Sequence, residues 1–452
     1  MSLILRILTL GFLNVLLVFG EEEHRLLLNL LRGYQPLIRP VLNINESALV
    51  VHMGLQLVLL INVDERNQIM HTNVWLTLVW SDYQISWQPR NHAFISTLRI
   101  PPDKLWLPDI VLFNNADGRY EVSFQSNVVA SSSGEMLWVP PAIYKSSCII
   151  DVEHFPFDQQ KCEMSFGSWT FNENEVILDY NKGIRAVDLR EFYYSTIWDI
   201  VECPASLNSA RNRLTYTLIL RRKALFYTIV LIIPTVLMAF LSMMVFYLPA
   251  DAGEKITLAI SILLSLVVFL LLVSKILPAT SSTIPLMAKY LLLTFVLNII
   301  TILVTVIIIN VFYRGPDTHV MPPWARVHMQ DCAVKSKRKR ESIAGINLRL
   351  SDSAEQMCRD LHGPVLTPEL SHAIEAVEYI AQHFRSHERF KKEREDWKFV
   401  AMIMDRLLLL VFFAVTLGGT LGILFSAPNI FDKVDQKSVI DLLTVKYGWG
   451  EL

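Results

Sequence analysis

The stretch EKITLAISILLSLVVFLLLVSK, Glu254–Lys275, decides how the rest of the chain is read. At about 1.5 Å per residue, a helix of this length crosses a hydrocarbon core of about 30 Å. Thr257, Ser261, Leu264, Val268, Leu271 and Lys275 follow one another at steps of four, three, four, three and four, so they share one helical face. That face is hydroxylated at its start and bulky and apolar in its middle. Both its ends are charged, and at the first Glu254 stands beside Lys255. Turned toward an axis by several copies, it would line a water-filled path with an apolar constriction and a charged mouth. The segment alone leaves one alternative open: a helix packed in its own bundle, its hydroxyls bonded back to its own carbonyls.

Two apolar spans flank this helix, Ala224–Leu248 and Tyr290–Phe312, through the short links PADAGE and PATSSTIP, and a fourth follows at Phe399–Phe425. Between 224 and 312 the charges are Asp251, Glu254, Lys255, Lys275 and Lys289, all at or beside span ends. A chain of 452 residues with 52% hydrophobic residues in such blocks has membrane lipid as a partner, and a formal net charge of −2 argues against nucleic acid. Residues 1–20 join Arg6 to an apolar run ending at Gly20, a secretory signal pattern with an uncleaved anchor helix as the alternative, and export places the residues after it in an oxidising compartment.

Residues 21–33 form a short amphipathic helix closed by Gly33, and strand-like text comes after it. LQLVLLINV and NVWLTLVW are near-continuous apolar runs, NVVASSSGEMLWV is two strands around a Ser/Gly turn, and RLTYTLILRR places Leu214, Tyr216, Leu218 and Leu220 on one side. Many short strands with turn signals predict a β-sandwich. Asn45-Glu46-Ser47 is a glycosylation acceptor pattern. Farther on, the basic run Lys335, Lys337, Arg338, Lys339 and Arg340 marks the inner side of the membrane. Thr367 caps a helix that starts at Pro368, carries Ile374, Val377, Ala381 and Phe384 as an apolar stripe, and runs on into the fourth span. The expected division is a signal peptide 1–20, an exported sandwich 21–223, three spans within 224–312, an inner segment 313–397, a fourth span 398–426 and an outer tail 427–452. Both the mature N-terminus and the C-terminus are then extracellular.

Of the five cysteines, Cys148, Cys162 and Cys203 are exported, and Cys332 and Cys358 fall in the inner segment. A disulfide closing a loop the size of 148–162 would contribute about 3 kcal/mol in the chain-entropy picture. Cys203 has no evident partner. There is no nucleophile elbow, phosphate loop or zinc spacing, so no enzyme, cofactor or metal is expected.

Several motifs together resemble the Cys-loop receptors, the pentameric ligand-gated ion channels. They are Phe155-Pro156-Phe157-Asp158 between Cys148 and Cys162, Trp106-Leu107-Pro108-Asp109, NNADG at Asn114–Gly118, PPAI at Pro140–Ile143, and FYLPADAGEK before the pore helix. The wording is similar to nicotinic acetylcholine receptor subunits of the non-α kind, leaning toward invertebrate, nematode levamisole-type muscle subunits. The resemblance implies a β-sandwich extracellular domain followed by a four-helix transmembrane bundle, with an intracellular amphipathic helix continuous with the fourth span. It also implies a Cys148–Cys162 disulfide and location in a cell membrane, as a postsynaptic receptor.

The resemblance further implies an agonist site between subunits, built from aromatic rings, because a quaternary ammonium has no hydrogen to donate and ring faces are its natural partners. On the principal side Phe113 stands in the first loop and Trp169 in the second. The third loop, WDIVECPASLNSARNR, offers only Cys203, without an adjacent cysteine or a tyrosine, so this side reads as degraded. On the complementary side Trp80 matches the family's tryptophan, with Val129, Leu137 and Val139 as its apolar wall, and Trp75 is read as a core residue. The implied gating contacts are Glu65 with Arg222, the Phe155-Pro156-Phe157 tip, and Pro285. Glu254 and Asp251 would form an acidic ring favouring cations, and Leu264 and Val268 the constriction. Lys275, where many relatives carry an acid, would oppose cation entry, so the chain is expected to work diluted in a heteropentamer. The expected partners are acetylcholine or a related cholinergic agonist, α-type subunits and permeant cations. The alternatives are a homopentamer for another ligand and a non-conducting accessory subunit.

Overall fold

A computed structural model describes residues 22–42, 48–278, 283–314, 368–428 and 434–449. The expected signal segment 1–20, Asn45, the basic run, Cys332, Cys358 and Thr367 lie outside the described residues. The chain divides into two compact units, the first Met1–Pro234, Phe269–Tyr290 and Gly422–Leu452, the second Thr235–Val268 and Leu291–Leu421.

The first unit opens with helix α1 (22–31), tied down where the Tyr34 hydroxyl donates to Asp82 at 2.7 Å and accepts from the Trp106 amide at 3.1 Å. Strands β1 (Leu49–Asp64), β2 (Ile69–Ser81), β3 (Thr97–Ile100), β5 (Val128–Ser131), β6 (Glu135–Trp138), β7 (Pro141–Ser147) and β9 (Val176–Tyr180) make one sheet. Its order is β3-β5-β6-β2-β1-β9, with β7 also on β2. Strands β4 (Ile110–Leu112), β8 (Gln159–Ser168), β10 (Trp198–Glu202), β11 (Ala205–Leu207) and β12 (Arg213–Arg222) make the other, ordered β10-β12-β8-β4 with β11 on β12. The two sheets close on a shared core. The rings of Tyr144 and Phe166 meet at 5.5 Å, those of Phe166 and Tyr216 at 6.0 Å, and the Tyr216 hydroxyl donates to the Met53 carbonyl at 3.1 Å. Leu214, Tyr216, Leu218 and Leu220 are all buried, as their alternation predicts.

The expected disulfide is present between Cys148, just past β7, and Cys162 in β8, so it links the two sheets. The loop it closes carries a cis Phe155–Pro156 bond, and Phe155 is fully buried. The same unit holds a final helix, α6 (Gln436–Tyr447), ended by Gly448 in the left-handed conformation. It lies on the edge strand β10. The Gln436 side-chain amide accepts from the Ile200 N–H at 2.6 Å and donates to the Ile200 carbonyl at 3.2 Å, imitating a neighbouring strand. Lys446 pairs with Glu202 at 2.8 Å, and Leu443 and Trp449 are buried.

Four helices are long and apolar enough to cross a membrane: α2 (Leu225–Tyr247), α3 (Lys255–Ile276), α4 (Leu286–Phe312) and the apolar part of α5 (Pro368–Leu424). In α2 the residues Thr228–Ile232 form a π-helical turn just before Pro234, whose missing N–H interrupts the regular ladder. α4 starts four residues earlier than its apolar text, at Leu286 directly after Pro285, and so takes in Lys289. α5 is one helix of 57 residues, as the capping pattern at Pro368 predicts. In the second unit Met243 and Phe246 of α2 pack with Ile308, Val311 and Phe312 of α4 and with Trp397, Ala401 and Phe412 of α5, the rings of Phe246 and Phe412 lying 5.0 Å apart. Gly419 lets α5 approach α4 closely, since a Cβ there would come within 2.7 Å of Leu293 Cδ2.

Candidate functional site

The burial of β2 alternates strictly, and that alternation corrects the tryptophan assignment. Trp80 is 2% exposed and meets Trp106 edge-on at 6.1 Å in the sandwich core. Trp75 stands on the other face and is 38% exposed. The register puts Trp75 opposite Pro141 and Val79 opposite Leu137, which in turn faces Val129. Trp75, Thr77 and Val79 therefore share one sheet face with Val129 and Leu137. Val79, Val129, Leu137 and Val139 line a cavity of about 710 Å³ on that face. Trp75 is the strand's tryptophan on the same face as Val129 and Leu137.

The aromatics expected on the principal side form an open patch. Phe113 and Trp169 lie 5.9 Å apart, and Tyr120, two residues past NNADG, meets Trp169 at 5.5 Å with its ring tilted by 40°. The patch is built by local hydrogen bonds. Asp109 accepts from Ser168 Oγ at 2.6 Å and from the Thr170 amide at 2.7 Å, fixing the turn that projects Trp169. In NNADG, Asn115 donates to the Arg119 carbonyl at 2.6 Å, which sets the turn before Tyr120. Arg213 of β12 lays its guanidinium 4.2 Å from the centre of the Phe113 ring. Cys203 is a correction. It is fully buried, free, and in contact with the Val187 carbonyl at 3.5 Å, so it belongs to the core and not to this patch. Burial pushes its thiol up to about 12.

The Glu65–Arg222 pair expected from the sequence forms, at 2.6 Å, and Asp158 joins it. Asp158 takes Arg222 in a fork, Nε at 2.7 Å and Nη2 at 3.0 Å. The Arg222 side chain is 1% exposed and also lies over the rings of Trp198 at 4.2 Å and Phe155 at 5.0 Å. Burial by itself lowers the pKa of this guanidinium, but the bonds and charges of Asp158 and Glu65 outweigh it, and the net shift is upward. Asp158 ends the Phe155–Asp158 motif, and the sequence reading gives it no part in this contact. The same loop reaches the start of α4, where the Glu153 carbonyl accepts from the Leu286 amide, the residue after Pro285, at 2.8 Å. Glu153 and Lys289 face each other at 3.8 Å. Pro156 is buried and Phe157 partly so.

On α3 the six residues of the stripe, Thr257, Ser261, Leu264, Val268, Leu271 and Lys275, are all exposed in the single chain, while Ala259, Ile262, Leu266 and Val273 are buried. The stripe is thus free of its own subunit's packing. Ser261 also bonds back to the Thr257 carbonyl at 2.8 Å. Lys255 is fully buried and paired with Asp405 of α5 at 2.5 Å, which removes it from beside Glu254. Asp251 is exposed but engaged by Lys398 at 3.4 Å; Glu254 has no ion-pair partner among the described residues.

Residues 23–224 match the family model for the neurotransmitter-gated ion-channel ligand binding domain, and residues 231–342 and 328–424 match that for the neurotransmitter-gated ion-channel transmembrane region. The chain is 57% identical over 462 residues to acetylcholine receptor subunit beta-type unc-29 of Caenorhabditis elegans, covering 95% of this chain and 93% of that one. It is 54% identical over 454 residues to subunit beta-type acr-3 of the same organism, covering 94% and 93%. Acetylcholine receptor subunit beta-like 1 of Drosophila melanogaster is 48% identical over 494 residues, covering 94% and 95%.

Proposed function

The chain belongs to the neurotransmitter-gated ion-channel family, and from that premise we propose that it is a non-α subunit of an acetylcholine-gated cation channel. In this reading it supplies the complementary face of the agonist site and one pore-lining helix of a heteropentamer. The observation that carries it is the near full-length match to relatives named beta-type acetylcholine receptor subunits. The third loop supports it, since no adjacent cysteine and no tyrosine stand there.

The complementary face is Trp75, Val129, Leu137 and Val139. An ammonium seated by a neighbouring α-type subunit meets the Trp75 ring, where a desolvated cation–ring contact contributes about 2 kcal/mol. Movement of the sandwich is passed on through the Glu65–Arg222–Asp158 cluster and the loop bearing Phe155, Pro156 and Phe157 to Pro285 and Leu286. A charge cluster of this kind can bias a two-state element. The pore runs along the α3 stripe, with Leu264 and Val268 as the constriction. Glu254, its lysine neighbour neutralised by Asp405, supplies the acidic ring that favours cations, with Asp251 as a lesser contributor. The chain acts in the cell membrane at a postsynaptic site, with both termini extracellular.

Expression in oocytes tests the reading. Acetylcholine should evoke cation current when this chain is co-expressed with an α-type subunit, and none when it is expressed alone. Robust current from the chain alone overturns the heteromeric role. Surface assembly that never conducts in any combination favours an accessory subunit instead.

A further inference from the structure

The aromatic patch on the degraded side already holds a cation, and the chain supplies it. Gly167 of β8 stands between Val111 of β4 and Arg213 of β12, and Phe113, one residue past β4, donates its amide to the Ser165 carbonyl at 2.8 Å. Gly167 makes the arrangement possible. A Cβ there would come within 2.6 Å of Phe113 Cε2 and 2.8 Å of the Asn212 carbonyl oxygen, so a larger residue would displace the ring. Of the two arginines flanking this turn, Arg211 pairs with Asp179, whereas Arg213 has no carboxylate partner among the described residues. Its planar guanidinium takes the ring face instead, 4.2 Å from the Phe113 centroid and well within the range of a cation–ring contact. Trp169, 61% exposed, and Tyr120 complete the patch.

We propose that Arg213 is a tethered cation occupying this chain's own ammonium seat, so that the Phe113–Trp169–Tyr120 patch is closed to a free cationic agonist. The third loop lacks the side chains of a full cage, and Arg213 blocks what remains. A tethered group is present at high effective concentration, which a weakly held free ammonium does not overcome. The proposal rests on the preceding reading only for the nature of the free cation.

The test uses Tyr120→Cys as a reporter in the full chain, assembled with an α-type subunit at the cell surface. The rate at which an uncharged methanethiosulfonate reagent blocks that thiol is followed by biotin-maleimide labelling, with and without millimolar tetramethylammonium. With Arg213 in place, tetramethylammonium should leave the rate unchanged. With Arg213→Gln it should slow the reaction about threefold or more, and Arg213→Lys should restore insensitivity in large part. Because the reagent is uncharged, loss of a positive charge alone does not produce protection. Arg213→Met serves as a second variant if the glutamine form is retained in the cell. Equal protection with and without Arg213, or protection in neither, overturns the proposal. Labelling needs no current, so a silent receptor that shows the expected protection sinks the channel reading and leaves this one standing. An acetylcholine-responsive receptor without protection does the reverse.

Discussion

Trp75 and Trp80 stand five residues apart on one strand, so the pleat sends their rings to opposite faces of the sheet. Trp75→Ala should raise the acetylcholine concentration for half-maximal current by about tenfold or more, the loss expected of a desolvated ring contact. Surface labelling should stay near the parent value. Trp80→Ala should do the opposite: it opens a cavity costing about 3–5 kcal/mol and lowers surface labelling, with the sensitivity of surviving receptors little changed. A sensitivity shift confined to Trp80→Ala would refute the placement. The sequence could not phase this strand by hydrophobicity, because Trp75, Leu76, Leu78, Val79 and Trp80 are apolar on both faces. The polar positions that show the phase are few, and Thr77, beside Trp75 on the exposed face, is the useful one. Cys203 misled for a related reason. Its place in the third loop's text says nothing of its depth, and the link between β10 and β11 turns it into the core.

At the scale of elements, the junction of β12 with α2 is held by one arginine between two carboxylates. Arg222→Gln leaves Glu65 and Asp158 as uncompensated, largely buried acids, and should cost about 3–5 kcal/mol. The readout is reduced surface assembly together with a shifted gating equilibrium in single-channel records. A double-mutant cycle with Glu65→Gln should show coupling of about 1 kcal/mol or more; additivity would mean that the two charges act independently. The Glu65–Arg222 contact was legible through the family resemblance, whereas Asp158 had to be found by asking what balances a buried guanidinium. Long helices were legible from apolar length and from Pro368. α6 was not, because Gln436–Tyr447 mixes charge with scattered aliphatics and reads as a polar tail. Its stop signal, Gly448 at φ 70°, was nevertheless in the text.

Over the whole molecule the formal net charge is small, −2, so what ions meet depends on where charges stand along α3. On the proposed ion path Glu254 would favour cations at one end and Lys275 would oppose them at the other. Lys275→Glu should raise inward single-channel current, on the order of 1.5-fold in a heteropentamer carrying few copies of this chain. An unchanged current would place Lys275 away from the ion path. The stripe's freedom from intrasubunit packing could be read only from coordinates, since spacing fixes which residues share a face and not which way it turns.

The contact between Gln436 and Ile200 reaches beyond the channel's working cycle. A premature stop before codon 436 would spare every membrane span and both halves of the cation path, yet it would strip the cover from an edge strand whose bare amides and carbonyls can zip onto another polypeptide. Such truncated alleles should then fail during biosynthesis, as clumped and retained protein, before any receptor reaches the cell surface to reveal a defect in signalling.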